Sequence, residues 1–512
     1  MARQGLIFPG GLDVNIGHFF GACMMQKKQF LTKSAFLLGL QCDKLLWMYQ
    51  NQRELIPEVD ETTQAIFRQG HRVGDLAKTL YPDGLEIDWS AGHEQGIAQT
   101  RAALRQRKPL FEAGFVHGSL HARADILKPA ANGRWDLIEV KSSSKVKEEH
   151  IPDVAFQKQV YEGAGIRIHR CYVMHVDTSY VRNGEVDPEG LLQRTEVTDE
   201  VKASADVVRA EARRMISVMT AKKCPETGVG SHCEDCALYS DCWAFLPKRH
   251  VFSLSRGGQK CYELMDQGIL EMKDIPDDFR LNEKQAIQVA CEKSRKPHIH
   301  PQKIEEFLGN LAYPLYFLDF ETFMAAVPPY DRLSPYEPIP FQFSLHVVEA
   351  PGKRGKHHSY LADGSGDPRP ELLGRLKKLI GRTGSIVAFH ASYETRILYL
   401  CSRRYPEFAG WIQSLQTRLV DLHVPFRQFD YYHPDQQGST SLKAVLPALT
   451  KIRYDDLEIA DGQTASLRFA EMAFGNVTPA VRQAIRAALE TYCHQDTKGM
   501  VEIVKALRRQ CQ

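Results

Sequence analysis

The stretch "LYFLDFETF" (residues 315–323) decides how this chain is read. It is an apolar, aromatic run interrupted by two acids, Asp319 and Glu321. Residues at i and i+2 of a strand point to the same face. Two carboxylates therefore project side by side from a segment that otherwise reads as buried. Burying like charges together is costly unless a counter-charge offsets them, and a divalent cation is the simplest one. The alternative is a strand end that reaches solvent. The rest of the chain has to decide between them.

At 512 residues the chain has room for two or three domains, each with its own core. Its 43% hydrophobic and 25% charged content is that of an ordinary globular protein. A net charge of +2 excludes a global basic field, so any nucleic-acid surface must be local. No apolar run approaches the roughly 18 residues of a membrane-spanning helix, and no membrane partner is expected. Residues 1–30 lack the pattern of a signal peptide and read as an extension, with Met24 or Met25 as alternative starts. These features predict a cytoplasmic location, where disulfides are rare. The twelve cysteines then need another explanation wherever they cluster.

Helical spacing dominates residues 31–108, and strand patterning takes over in 109–142. A helix follows over 150–163, then a strand in "IHRCYVMHVDTSYV" and a helix near 198–221. Residues 249–310 read as a polar helical connector. Strands return in 311–350, "SIVAFHASYETRILYL" runs from strand to helix, and 477–509 is helical. The pattern predicts a multidomain α/β chain with units at 31–248 and 311–512.

In the first unit, "ARADIL" (122–127) carries Asp125 and "LIEVKSS" (137–143) carries Glu139 and Lys141. Glu139 and Lys141 share a strand face, and a hairpin would bring Asp125 beside them. Two carboxylates and a lysine suit metal-assisted phosphodiester hydrolysis. The acids would hold Mg2+ or Mn2+, and the lysine would orient the nucleophile or stabilise developing charge. Acids and lysine on an exposed strand remain the alternative. Gln157 and Tyr161 follow at i and i+4 on one helical face.

This series resembles the RecB-like branch of the PD-(D/E)xK nucleases. The resemblance implies catalytic roles for Asp125, Glu139, Lys141, Gln157 and Tyr161, with Asp125 and Glu139 as metal ligands. Glu112 is a further, looser match. Where that family carries a histidine, "QGHRVGD" places Gly74, with His71 beside Gly70 as a substitute.

"SHCEDCALYSDCW" holds Cys233, Cys236 and Cys242 in a C-x2-C-x5-C run. Clustered thiols in a reducing compartment bind a soft metal or an iron–sulfur cluster. Cys224 and Cys42 are both open as the fourth ligand. The same spacing resembles iron–sulfur RecB-like nucleases of the CRISPR-associated and AddB types. That resemblance implies Cys42 as the fourth ligand and a 4Fe–4S cluster tying the ends of the domain together. Four-cysteine Zn2+ is the alternative.

The connector segment "VFSLSRGGQKCYELMDQGILEMKDIP" has a Gly-Gly turn before a helix. It looks like a degenerate helix-hairpin-helix in which Arg256 and Lys260 would meet phosphates; a plain helical linker is the alternative.

For Asp319 and Glu321 to bind metal, further acids must arrive. Glu394 in "HASYE", Asp421 in "RLVDLH", and Asp496 four residues after Tyr492 supply them. The order resembles the DnaQ-like (DEDD) exonucleases, with an RNase H-like fold. It implies metal ligation by Asp319, Glu321, Glu394 and Asp496, with Tyr492 positioning the attacking water. Glu394 stands where that family has aspartate, and Asp421 is the reserve ligand. "YYHPDQQGSTSLKAVLPAL" (431–449), with Lys443, reads as a loop that either contacts a single strand or is plain surface.

The whole series, from "LTKSAFLLGLQC" through "IEVKSSSKVK" and "FLDFET", resembles a bacterial family fusing the two nuclease types. It implies a metal-dependent nuclease that processes DNA ends or single strands. Two alternatives stay open: an RNA-processing exonuclease, and a nucleic-acid-binding scaffold with inactive sites.

Overall fold

The computed structural model describes residues 30–511. The extension and its alternative starts, residues 1–29, lie outside the described residues. Two large sheets organise the remainder, each with its own hydrophobic core.

The first sheet contains β1 (Leu31–Thr32), β2 (Leu85–Glu86), β3 (Leu110–His117), β4 (Leu120–Pro129), β5 (Trp135–Val140), β6 (Ile168–Val176) and β7 (Leu192–Glu196). Strands β2 to β7 lie in sequence order, and β1 pairs parallel to β4. Tight turns at Gly118 and at Asn132-Gly133, all with positive φ, close the β3–β4 and β4–β5 hairpins. β5 and β6 are parallel and need a crossover, which the helix His150–Gly163 provides. Strand alternation then sorts the residues. Leu127 and Leu137 face the helices Lys33–Gln41, His150–Gly163 and Thr198–Met219, while Ile126 and Ile138 face the helix Glu61–Thr79.

After the connector come β8 (His298–Ile299), β9 (Leu315–Phe323), β10 (Ile339–Val348), β11 (Lys356–Leu361), β12 (Ile386–Ala388), β13 (Leu419–Asp421) and β14 (Tyr431–Tyr432). The second sheet runs β11-β10-β9-β12-β13, with β9 at its centre. β9 is antiparallel to β10 and parallel to β12. Every residue of β10 is buried, so its polar side chains need partners. The long helix Pro479–Gln510 supplies them: Gln342 Nε2 donates to the Leu489 carbonyl at 3.0 Å, and Ser344 Oγ bonds Thr497 Oγ1 at 2.6 Å. That helix thereby lies across the face of β9 that carries the two acids.

The connector has a small core of its own, built on Val251, Leu254, Leu264, Met272, Ile275 and Val289. Its last third belongs to the second unit. β8 pairs with β14, and the helix Pro301–Gly309 buries Ile304 and Leu308 in that unit's core. The boundary expected near 310 therefore falls before β8. The segment leaving β9 docks on the first unit. Ala326 and Val327 are buried beside Val73, Ala77, Ile126 and Ile138, and Arg182 donates to the carbonyls of Pro328 and Pro329 at 2.8 Å each. Tyr336 OH donates to the carbonyl of Ser142, the residue after Lys141. One loop thus links the strand bearing Glu321 to the strand bearing Glu139.

Candidate metal centres

In the second unit, β9 sends Asp319 and Glu321 to the face covered by the long helix. Glu321 is 7% exposed. An oxygen from each lies within 4.8 Å of the other and of Cys493 Sγ on that helix, a group able to hold a metal ion. Asp496, one turn further along, is buried and accepts a 2.6 Å bond from Tyr454 OH. Glu394 sits in the first turn of the helix Ser392–Arg404, directly after β12. It is buried, and its Oε2 has no hydrogen-bond partner.

The electrostatics follow from this crowding. Burial, then the charge of Asp496, pushes the Asp319 carboxyl well above the usual range. Burial, then Asp319, does the same to Glu321 and Glu394. Burial raises Asp496 to about 6, less than its neighbours because Tyr454 and Lys443 favour its charged form. Lys443 Nζ lies 5.0 Å from the Tyr492 ring centre, and its field reaches Asp319, Glu321 and Asp496. Among the described residues, then, this ammonium reaches three of the four acids, and most of their charge has no offset there.

Asp421 lies near enough for its charge to help raise Glu394, but one of its oxygens is taken up by backbone. Its Oδ1 accepts from the backbone N–H groups of His390, Ala391 and His423 at 2.9, 3.3 and 3.0 Å. It fixes the turn that launches the Glu394 helix and so positions Glu394. Residues 431–449 are not a loose loop either. Tyr431 and Tyr432 are buried strand residues, and Leu442–Thr450 is a helix that delivers Lys443 to the acids. Cys493, Tyr454 and the site role of Lys443 were missed by the sequence reading. Cys493 had a signal, since it sits between Tyr492 and Asp496 on one buried helical turn.

In the first unit, the β4–β5 hairpin brings Asp125 against Glu139, and Asp125 Oδ2 accepts from Val140 N at 2.7 Å. Lys141 Nζ donates to Glu139 Oε1 at 2.8 Å and to Asp153 Oδ2 at 2.6 Å. Gln157 Nε2 donates to Glu139 Oε2 at 2.7 Å and to Asp153 Oδ1 at 3.0 Å. Asp153 was missed, although it precedes Gln157 by one helical turn in "PDVAFQ". Lys33 was missed as well; its Nζ lies 2.8 Å from Glu139 Oε1. Burial alone would raise the Glu139 carboxyl, but Lys33 and Lys141 more than offset this and hold it well below the usual range. Burial, then the Glu139 charge, lifts Asp125 to about 7.

Tyr161 does not reach these groups. Its fully buried hydroxyl donates to the Ala113 carbonyl and accepts from Ala124 N at 2.8 Å, bridging β3 and β4. Glu112 sits at φ 53° and pairs with Arg123 at 4.0 Å. His71 is exposed on its helix.

Cys42, Cys233, Cys236 and Cys242 line one small cavity, reached from the end of the helix Lys33–Gln41 and from the turns after Gly230. Lys44 Nζ lies 3.4 Å from Cys242 Sγ. Cys224 packs nearby but bonds the Pro225 carbonyl. Among the described residues, no three of these sulfurs lie within 4.8 Å of one another. In the connector, Lys260 is engaged with Gln285 Oε1 at 2.9 Å, while Arg256 is exposed beside Lys284 and Arg427 in a surface groove.

The chain is similar, over residues 316–441, to a family described as a domain of unknown function, DUF2779. That span takes in Asp319, Glu321, Glu394 and Asp421 and ends before Lys443 and Asp496. No curated protein matches the chain. A solved structure titled "Crystal structure of SSO0001" is 13% identical, covering 42% of this chain and 97% of its own, with a TM-score of 0.18, an overlap that carries no argument about fold. No helix among the described residues is long and apolar enough to cross a membrane.

Carboxyls raised in the folded state bind protons that the unfolded chain has already released, so stability falls as pH rises above about 4. In EDTA the melting temperature should therefore fall between about pH 5 and about pH 8. Asp319→Asn should be at least as stable as the parent at the upper end, and Mn2+ should stabilise the parent more than the variant. A clear loss of stability in metal-free Asp319→Asn at that pH would mark Asp319 as a paired core acid. Tyr161→Phe should cost about 1–3 kcal/mol in denaturant titration by stranding backbone groups, with metal binding at the first centre unchanged.

Proposed function

We propose that the chain is a metal-dependent nuclease with two active centres, acting on DNA ends or single strands. The second unit is an RNase H-like exonuclease of the DnaQ type that trims 3′ ends. The first is a PD-(D/E)xK nuclease carrying a cysteine-bound cluster. One observation carries the reading: β9 and two helices gather four carboxylates, Asp319 half-buried and Glu321, Glu394 and Asp496 buried, and their charge is largely uncompensated among the described residues. The central place of β9, with antiparallel strands on one side and parallel strands on the other, supports the same reading.

Two divalent ions at this centre would polarise a phosphate and activate a water. Asp319, Glu321, Glu394 and Asp496 would hold them through hard oxygen ligands. Burial raises the Tyr492 phenol far above its ordinary value, so it stays protonated and serves as a hydrogen-bond donor. Tyr454 fixes Asp496 from the other side. Lys443 places a cation where a bound phosphate would bring negative charge.

At the first centre Asp125, Glu139 and Asp153 supply carboxylates, Gln157 orients two of them, and Lys141 is held by Glu139 and Asp153. The four thiols that line the cysteine cavity would hold an iron–sulfur cluster, with four-cysteine zinc as the alternative.

The test is degradation of end-labelled single- and double-stranded DNA and RNA, with Mn2+ against EDTA. Asp319→Asn should reduce 3′ trimming by about two or more decades, and Lys141→Ala should abolish a separate cleavage activity. Absence of metal-dependent degradation of all four substrates would overturn the proposal. Anaerobically purified protein should contain iron and sulfide and lose both in Cys242→Ser; stoichiometric zinc without iron would replace the cluster with zinc.

A further inference from the structure

The helix Lys33–Gln41 spans the first unit's two chemical sites. It ends against Cys42 at the cysteine cavity. It begins at Lys33, whose Nζ stands 2.8 Å from Glu139 Oε1 and 3.9 Å from Asp125 Oδ1. The backbone at this end is fixed. Thr32 caps the helix by accepting from Ala35 N, and Leu31 and Thr32 pair with Leu120 and His121 of β4. Freedom is left only in the Lys33 side chain, which is about a quarter exposed.

The two oxygens that this ammonium approaches belong to the two residues assigned as metal ligands. Lys141 already serves Glu139 and Asp153 from the other side. A second lysine on the same Glu139 oxygen is therefore more than the lysine chemistry of the centre requires. A divalent ion and the Lys33 ammonium would compete for one carboxylate pair, since both need the lone pairs of Glu139 Oε1.

We infer that Lys33 is a positioning residue of the first centre: a tethered cation that holds the Asp125–Glu139 pair ready and yields it to the divalent ion, then offers its charge to the phosphate of the polynucleotide. This rests on the nuclease reading of the first unit. Its signature is a split between binding and turnover. Removing a competing ammonium strengthens metal binding, because a unit charge within about 4 Å of the ion is lost. Removing a phosphate-facing cation weakens turnover. A purely structural lysine would weaken both together.

The experiment uses the full-length protein carrying Asp319→Asn and Glu321→Gln, which removes the second centre's metal from the signal. Mn2+ is titrated by calorimetry into this background with Lys33, Lys33→Met or Lys33→Arg. Lys33→Met should bind Mn2+ at least about fivefold more tightly, while kcat for cleavage falls about tenfold or more. Lys33→Arg, which keeps the charge, should stay near the parent in metal affinity. Equal or weaker Mn2+ binding by Lys33→Met, at an unchanged melting temperature, overturns the inference while leaving the nuclease reading intact. If Lys33→Met fails to fold, the Lys33→Arg titration decides: tighter Mn2+ binding by that variant overturns the inference. If the parent background binds no Mn2+ and Lys141→Ala changes no activity, the nuclease reading and the inference fall together.

Discussion

Charge that the protein cannot neutralise by itself governs the second unit. Half-buried Asp319 and buried Glu321, Glu394 and Asp496 meet where β9, the Glu394 helix and the long C-terminal helix converge, and among the described residues Lys443 is the cation whose field reaches Asp319, Glu321 and Asp496. Much of the surrounding architecture holds these groups in place. Gln342 Nε2 and Ser344 Oγ of β10 bond the long helix, which holds Cys493 and Asp496 over β9. Asp421 is used up on backbone N–H groups so that the turn before Glu394 keeps its shape. Such an arrangement costs stability in the absence of a counter-ion, which is the usual mark of a site kept for function rather than for folding.

The first unit solves the same electrostatic problem differently. Asp125, Glu139 and Asp153 face two lysines and an amide through hydrogen bonds and ion pairs. Burial, then the Glu139 charge, still raises Asp125 and Asp153, so this centre is better compensated than the other without being fully balanced. The two are not mechanically independent, because the loop after β9 packs on the first unit beside Ser142.

How much of this was legible depended on range. The i, i+2 rule on a strand found Asp319 with Glu321 and Glu139 with Lys141, because strand geometry is local. The i, i+4 rule found Tyr492 with Asp496 for the same reason. It misled at Tyr161: one turn beyond Gln157, about 5.4 Å along the axis, the helix has already passed the acids and lies over the β3–β4 backbone. Lys33 is 106 residues from Glu139 and reaches it only because β1 pairs with β4, which no local pattern encodes. Tyr454 and Lys443 arrive from segments whose composition reads as loop, so their approach to Asp496 was invisible as well. The end of the connector was misplaced because β8 is two residues long and pairs with a strand far downstream.

The central claim is that the Asp319, Glu321, Glu394 and Asp496 carboxylates are gathered for divalent metal. Anomalous diffraction from crystals soaked in Mn2+ tests it most directly. The account predicts two manganese peaks about 4 Å apart, with oxygens of these four residues as ligands. Crystals saturated with Mn2+ but without an anomalous peak between β9 and the long helix, the acids instead hydrogen-bonded to one another as neutral carboxyls, would contradict it.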